Sequence, residues 1–153
     1  MCCRLLGEIG PMPSFTIRNP QILSAGLVAP VSVCICAAAE DSFRKSGLAL
    51  PKPILTDAKI DTGADRSVIG KGIASQLGLK PAGVCLVDTP SSKDFLCYEY
   101  ALRLVFPNDV VWQGSMLELP AATGSIEILI GRDILGYGAL IYIGYDNSFS
   151  LCF

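Results

Sequence analysis

Histidine is absent from the 153 residues, and that one absence closes several routes to chemistry. Ser-His-Asp and Cys-His catalysis, His-containing zinc sites and imidazole proton shuttling are all excluded. Charge is sparse as well: 17% of residues are charged, 12 basic against 14 acidic, for a net charge of -2. That balance supplies no basic face for nucleic acid or for an anionic membrane surface. Low-complexity tracts and a G-X-Y period are missing too, so neither a disordered nor a collagen-like chain is expected. Carboxylate, thiolate, lysine or tyrosine chemistry remains.

Hydrophobic residues make up 51% of the chain, and its length is enough for one domain with a real core. Seven cysteines are present, an odd number, and most lie inside apolar runs where a reduced thiol acts as a small hydrophobe. Arg4 and the short Leu5-Leu6 pair precede Gly7, Glu8 and Pro11, so no secretory h-region is expected. A reducing, cytoplasmic setting follows as the expectation. Cys34 and Cys36 are spaced as same-face neighbours on a strand, yet without a CxxC pair or a histidine no metal site is expected.

Ile22 to Ala39 carries no formal charge, which raises the question of a membrane span. Ser24, Gly26, Pro30 and Ser32, with Val31, Val33 and Ile35, favour a turn followed by a buried strand over a helix. A membrane-anchored form is therefore the lesser expectation. Residues 1–20 hold Pro11, Pro13 and Pro20 and little periodicity, and read as an N-terminal extension or arm. Residues 21–153 read as a single domain, and no internal repeat is visible.

Within that domain Tyr98, Tyr100, Leu102, Leu104 and Phe106 alternate with Glu99, Ala101, Arg103 and Val105, a period-2 strand. Further strands are expected at residues 31–37, 54–60, 84–87, 110–119, 126–130, 140–143 and 149–153. Asp41 to Pro53 reads as a loop with a turn of helix near Ser42 to Lys45. The spacing of Ile69, Ile73, Ala74 and Leu77 predicts one short helix over residues 70–77, closed by Gly78 as a left-handed cap. Many short strands with a single helix point to an all-β domain of barrel or sandwich type.

The chemistry concentrates in Ala58-Lys59-Ile60-Asp61-Thr62-Gly63-Ala64-Asp65-Arg66-Ser67-Val68-Ile69. An acidic residue at the end of an apolar strand, followed by Thr-Gly, puts a carboxylate on a tight loop that other backbone can approach. About seventy residues later comes Ile128-Leu129-Ile130-Gly131-Arg132-Asp133-Ile134-Leu135. Together the two motifs resemble those of the retropepsin-like aspartic proteases, small dimeric relatives of pepsin. The single-domain bacterial members are the nearest variety, judged by Leu77-Gly78-Leu79-Lys80-Pro81 and the Gly-Arg-Asp-Ile-Leu segment. The resemblance covers roughly residues 31–153, and implies a closed all-β barrel with one short helix, working as a homodimer without a cofactor.

By that resemblance Asp61 is the catalytic residue of an aspartic endopeptidase. One Asp-Thr-Gly per chain supplies half a site, and the reaction needs two carboxylates sharing a proton, so a twofold dimer is implied. Thr62 would tie the two catalytic loops together, and Gly63 would let a substrate strand lie close. Asp65 would bind the substrate main chain and pair with Arg132 in an internal ion pair; Asp133 is taken as structural. Ala64 cannot donate the hydrogen bond that a Ser or Thr could give the aspartate, so a mildly acidic rather than strongly acidic optimum is expected.

The expected flap is Asp88 to Leu96, with Thr89, Pro90 and Ser91 at a tip that departs from the glycine-rich retroviral pattern. Phe149 to Phe153 would supply the C-terminal strand of the dimer interface. Subsites for a peptide or unfolded protein would be lined near Ile69, Val87 and Ile130. The competing reading is a catalytically silent, protease-like module for dimerisation or peptide binding. Whether the first twenty residues form a propeptide is left open.

Overall fold

A computed structural model describes residues 12–89, 92–119 and 127–153. Ten strands dominate: β1 (Ser14–Arg18), β2 (Val28–Ile35), β3 (Ile54–Ile60), β4 (Val68–Gly70), β5 (Gly83–Thr89), β6 (Ser92–Phe106), β7 (Val110–Leu119), β8 (Ile128–Ile130), β9 (Ala139–Ile143) and β10 (Ser148–Cys152). Among the described residues four α-helices punctuate them: α1 (Ile22–Ala25), α2 (Ala37–Lys45), α3 (Ile73–Gln76) and α4 (Arg132–Leu135).

β6 organises the larger sheet because it is long and strictly alternating. Tyr100, Leu102, Leu104 and Phe106 all point into the core and are buried. One edge of β6 pairs with β7 from Tyr98 to Phe106, while β5 and β2 share the other edge at opposite ends. The strand order is β2-β3-β8-β4-β7-β6-β5, and the additional β2–β6 pairing connects β6 back to the first strand. β3 and β8 run parallel, with Ile60 opposite Ile130, and β4 lies antiparallel beside β8. These are the strands that lead into the Asp-Thr-Gly and Gly-Arg-Asp segments.

A second sheet has the order β1-β10-β9. β1 falls within the stretch read as an arm, yet Phe15 is buried, stacks on Phe106 at 5.4 Å between ring centroids and meets Phe149 edge-on at 6.4 Å. An aromatic trio of this kind fixes β1 to the core by burial and ring geometry together. β10 is consequently an interior strand, hydrogen-bonded to β1 on one side and β9 on the other. Phe149 and Leu151 are fully buried in the chain's own core. The expectation that Phe149–Phe153 offers a strand to a partner therefore needs correction: both backbone edges of β10 are taken, and among the described residues the outer strands of this sheet are β1 and β9.

The helical content also departs from the single helix expected. Residues 70–77 contain only the four-residue α3, because Val68–Gly70 pairs with β7 and β8 as β4. Gly78 adopts the left-handed conformation expected of a cap, at φ 65°. The longest helix is α2, where the Ala37-Ala38-Ala39 run starts a helix directly after β2. Gln113 on β7 accepts the Ala37 N–H at 3.1 Å, Glu40 lies in the first turn, and Arg44 and Lys45 lie in the last. Those charges complement the helix dipole. Ile22–Ala39 divides among α1, β2 and the start of α2, and among the described residues no helix is long and apolar enough to cross a membrane.

Candidate active site

Asp61 is the first residue beyond β3. Its backbone N–H donates to Ile130 O at 2.9 Å, continuing the β3–β8 ladder by one more bond, and its carbonyl accepts from Ala64 N–H at 3.2 Å. The chain thus turns sharply at 61–64, at the end of a parallel strand pair. The carboxylate is half-buried, and Oδ1 accepts from the Gly63 N–H at 2.9 Å. A Cβ on residue 63 would lie 3.2 Å from that same Oδ1, so glycine there keeps the carboxylate unhindered. Thr62 and Gly63 are exposed at the tip, and Ala64 brings no hydroxyl to the aspartate.

The second segment locks this turn from behind. Arg132 N–H donates to Ala64 O at 2.9 Å, and Arg132 Nη1 donates to Thr62 O at 3.0 Å and Gly63 O at 3.3 Å. Its other terminal nitrogen pairs with the Asp65 carboxylate. One guanidinium thus holds Thr62, Gly63 and Asp65 of the loop, a use of the planar fork that lysine could not reproduce. The pair was expected to be internal. In the single chain both side chains are largely exposed, because Asp65 and Arg132 lie at the open end of the β3–β8 pair and no described element covers them.

Ser67 and Arg66, to which the sequence reading gave no role, complete the frame together with Asp133. Ser67 is fully buried; its hydroxyl donates to Asp133 Oδ1 at 2.6 Å and accepts from Gly131 N–H at 2.8 Å. Asp133 also accepts from the backbone N–H groups of Ser67 and Ile134, both at 2.9 Å. Arg66 bridges the 133 carboxylate, at 3.6 Å, and Glu99 on β6, at 2.5 Å. The one signal in the sequence was a hydroxyl at the mouth of the apolar Val68-Ile69 pair. Gly131 is required by close approach: a Cβ there would stand 2.7 Å from the Arg66 carbonyl carbon.

Facing this frame is the β5–β6 hairpin. Cys85 pairs with Cys97, and Val87 with Phe95, on one face; Val84 pairs with Tyr98, and Leu86 with Leu96, on the other, which is exposed. The first face packs with Val68, Leu117, Leu119 and Leu129 into a small apolar cluster separate from the main core. The lining expected at Ile69 and Ile130 does not agree with where those two side chains lie. Ile69 and Ile130 are fully buried in the main core, and their neighbours Val68 and Leu129 turn toward Val87 instead. β5 ends at Thr89, opposite Ser92 across an irregular step in register, and Asp94 N–H donates to Asp88 at 3.1 Å near that end. Pro90, Ser91 and the side chain of Thr89, expected at the flap tip, lie outside the described residues.

The fold is that of the retropepsin-like aspartic proteases. A retropepsin-like aspartic protease from Rickettsia conorii superposes with a TM-score of 0.51 at 17% identity, over 94% of this chain and 92% of that one. The retroviral protease-like domain of Ddi1 from Leishmania major aligns over 82% of this chain and 86% of its own, at 12% identity and a TM-score of 0.47. EIAV protease complexed with the inhibitor HBY-793 aligns over 54% of this chain and 76% of its own, at 18% identity and a TM-score of 0.41. The sequence matches no protein-family model and no curated protein.

Proposed function

We propose that this chain is an aspartic endopeptidase that works as a homodimer, with one Asp61 from each subunit. The observation that carries the reading is the Asp61 carboxylate itself. It projects half-exposed from a turn whose backbone is tied on one side to Ile130 and on the other to Arg132. A rigid turn at the mouth of a parallel strand pair is what positioning a reactive carboxylate requires.

The chemistry follows from pairing two such turns. Two carboxylates brought together cannot both ionise, so the pair holds one proton between them. The charged member takes a proton from water as the water oxygen attacks the scissile carbonyl, and the protonated member donates to the carbonyl oxygen. The proton held by the first then passes to the leaving nitrogen as the C–N bond breaks, while the second carboxylate takes a proton from a hydroxyl of the gem-diol, so that the product acid forms and the pair again holds one proton. The Gly63 N–H bond to Oδ1 fixes the orientation of each carboxylate.

Substrate would lie extended between the Asp61 turn and the β5–β6 hairpin, with apolar side chains meeting Val68, Val87 and Leu129. The ring of pairings from β2 through β6 and back supports a closed-barrel description of each subunit. The second subunit would approach along a free edge of the β1-β10-β9 sheet. β9 carries the half-exposed Ile141 and Tyr142 there.

The test is cleavage of an unfolded protein from pH 3 to 8, wild type beside Asp61→Asn, with sedimentation of both. Turnover by the wild type alone, from a dimer that the variant retains, is expected. A folded dimer without turnover in either form would transfer the weight to a peptide-binding or dimerisation module.

A further inference from the structure

We infer that Cys85 and Cys97 form a modifiable dithiol at the root of the β5–β6 hairpin, which a small-molecule disulfide converts to a cross-strand disulfide. The two residues are direct partners in the antiparallel register, and both are free thiols. Directly opposed residues in such a ladder have Cα atoms about 4.5–5.5 Å apart, whichever kind of pair they occupy. That span falls inside the roughly 4.4–6.8 Å window in which a disulfide closes without backbone movement. Opposed side chains in a ladder project to the same face of the sheet. Here that face is the one bearing the Val68 and Leu117 cluster.

The two thiols are unequal, and this sets the order of events. Cys85 is half-buried and Cys97 is buried, so an external reagent meets Cys85 first. The Cys85 thiolate attacks the reagent RSSR, forming Cys85–S–SR and releasing RS⁻, which takes up a proton as RSH. The Cys97 thiolate then attacks the Cys85 sulfur, forming the Cys85–Cys97 bond and releasing a second RS⁻. Two thiol protons and two electrons leave the protein, and one RSSR becomes two RSH. Burial, and then the neighbouring Cys85, raise the Cys97 thiol above the ordinary range for a cysteine. The second step therefore quickens as pH rises through that range.

The bond would staple the two hairpin strands at the end nearer the barrel. A hairpin that must swing aside to admit a strand of substrate would lose part of that freedom. This consequence rests on the proposed protease reading; the dithiol chemistry does not.

The experiment treats the full chain with oxidised glutathione, blocks remaining thiols with iodoacetamide and maps tryptic peptides without reduction. Cleavage after Lys71, Lys93 and Arg103 separates the two cysteines, since the Lys80–Pro81 bond resists trypsin. Residues 72–93 and 94–103 should therefore appear as one linked pair, 2 Da below their summed mass, that separates on reduction. The linkage should form faster at pH 9 than at pH 7. Cys85→Ser, at the less buried position, should abolish the linked species while leaving circular dichroism unchanged. Recovery of both peptides separately alkylated or glutathionylated, or linkage of either cysteine elsewhere, would overturn the inference. Turnover read alongside separates the two claims: absent turnover in the reduced protein speaks against the protease reading, and the linked peptide stands or falls without it.

Discussion

Ser67 and Asp133, 66 residues apart in the chain, are joined by two hydrogen bonds: the serine hydroxyl donates to Oδ1 at 2.6 Å and the serine N–H donates to Oδ2 at 2.9 Å. The same hydroxyl accepts from the Gly131 N–H. The pair couples the strand that leaves the Asp61 turn to the segment that carries Arg132. Among described residues it is the buried polar bridge between the two motifs.

Ser67→Ala removes the hydroxyl half of that bridge, keeps the N–H bond to Asp133, and leaves the Gly131 N–H buried without its acceptor. A loss of about 1–3 kcal/mol is expected, the usual cost of orphaning a buried partner. Urea unfolding monitored by tryptophan fluorescence would measure it. A change within error of zero would mean that the hydroxyl does not hold the two segments together.

Arg132→Lys is expected to separate stability from turnover. The Arg132 and Asp65 side chains are 56% and 79% exposed, so the melting temperature should move by little, corresponding to under about 1 kcal/mol. A single ammonium cannot serve Thr62 O, Gly63 O and Asp65 in the geometry of the guanidinium fork. The Asp61 turn loosens, and kcat should fall by about 100-fold, the scale of an ångström of misplacement. Steady-state kinetics beside calorimetry decides it; an unchanged kcat would remove Arg132 from the positioning role.

Leu129 and Ile130 are neighbours that should give opposite phenotypes. Ile130→Ala opens a cavity in the main core and should cost about 2–5 kcal/mol. Leu129→Ala trims the smaller cluster facing the hairpin, so its first effect should be on which peptides are cut. Profiling a peptide library with both variants, beside denaturant unfolding, would show whether the site lies on the Leu129 side.

Acid should weaken the corner where β1 meets the turn before β10. The Arg18 guanidinium, bonded to Asp146 at 2.7 Å, and then the Ser148 hydroxyl hold the Asp146 carboxyl below its ordinary range. A carboxyl depressed in the folded state stabilises it at pH above the unfolded value, and that contribution is lost as pH falls through the folded value. Arg18 stays charged throughout, so the titration belongs to Asp146. The melting-temperature difference between wild type and Asp146→Asn should be constant above about pH 5 and shrink on acidification below about pH 4. A difference that does not vary with pH would remove the pair from the acid response.

The proposed catalytic turn was legible because its signal is local. An apolar strand ending in Asp-Thr-Gly defines both the carboxylate and the turn within a few residues. β6 was legible for a similar reason, since strict alternation over Tyr98–Phe106 admits one structure. β4 and β8 gave no such purchase. Val68-Ile69 and Ile128-Leu129-Ile130 are apolar at every position, and a strand covered on both faces carries no alternation to read. Which parity faces the core and which faces the hairpin was therefore set by what packs on each side. β10 differed: its alternation made the strand legible, but which strands would flank it was not, since β1 pairs with it from Ser14 opposite Cys152 to Arg18 opposite Ser148, far apart in the chain.

The proposed reacting group, the exclusion of histidine chemistry and the mostly β character were readable from the sequence, because each depends on residue identity or on spacing within one element. Tertiary structure alone decided that β1 belongs to the core and that Ser67 and Asp133 bind the two motifs together. It alone also set Val68 and Leu129 toward the hairpin and Cys85 opposite Cys97. Each of these is a contact between distant segments, and a contact of that kind is selected by the packing of the whole chain, where many individually weak apolar contacts are satisfied at once.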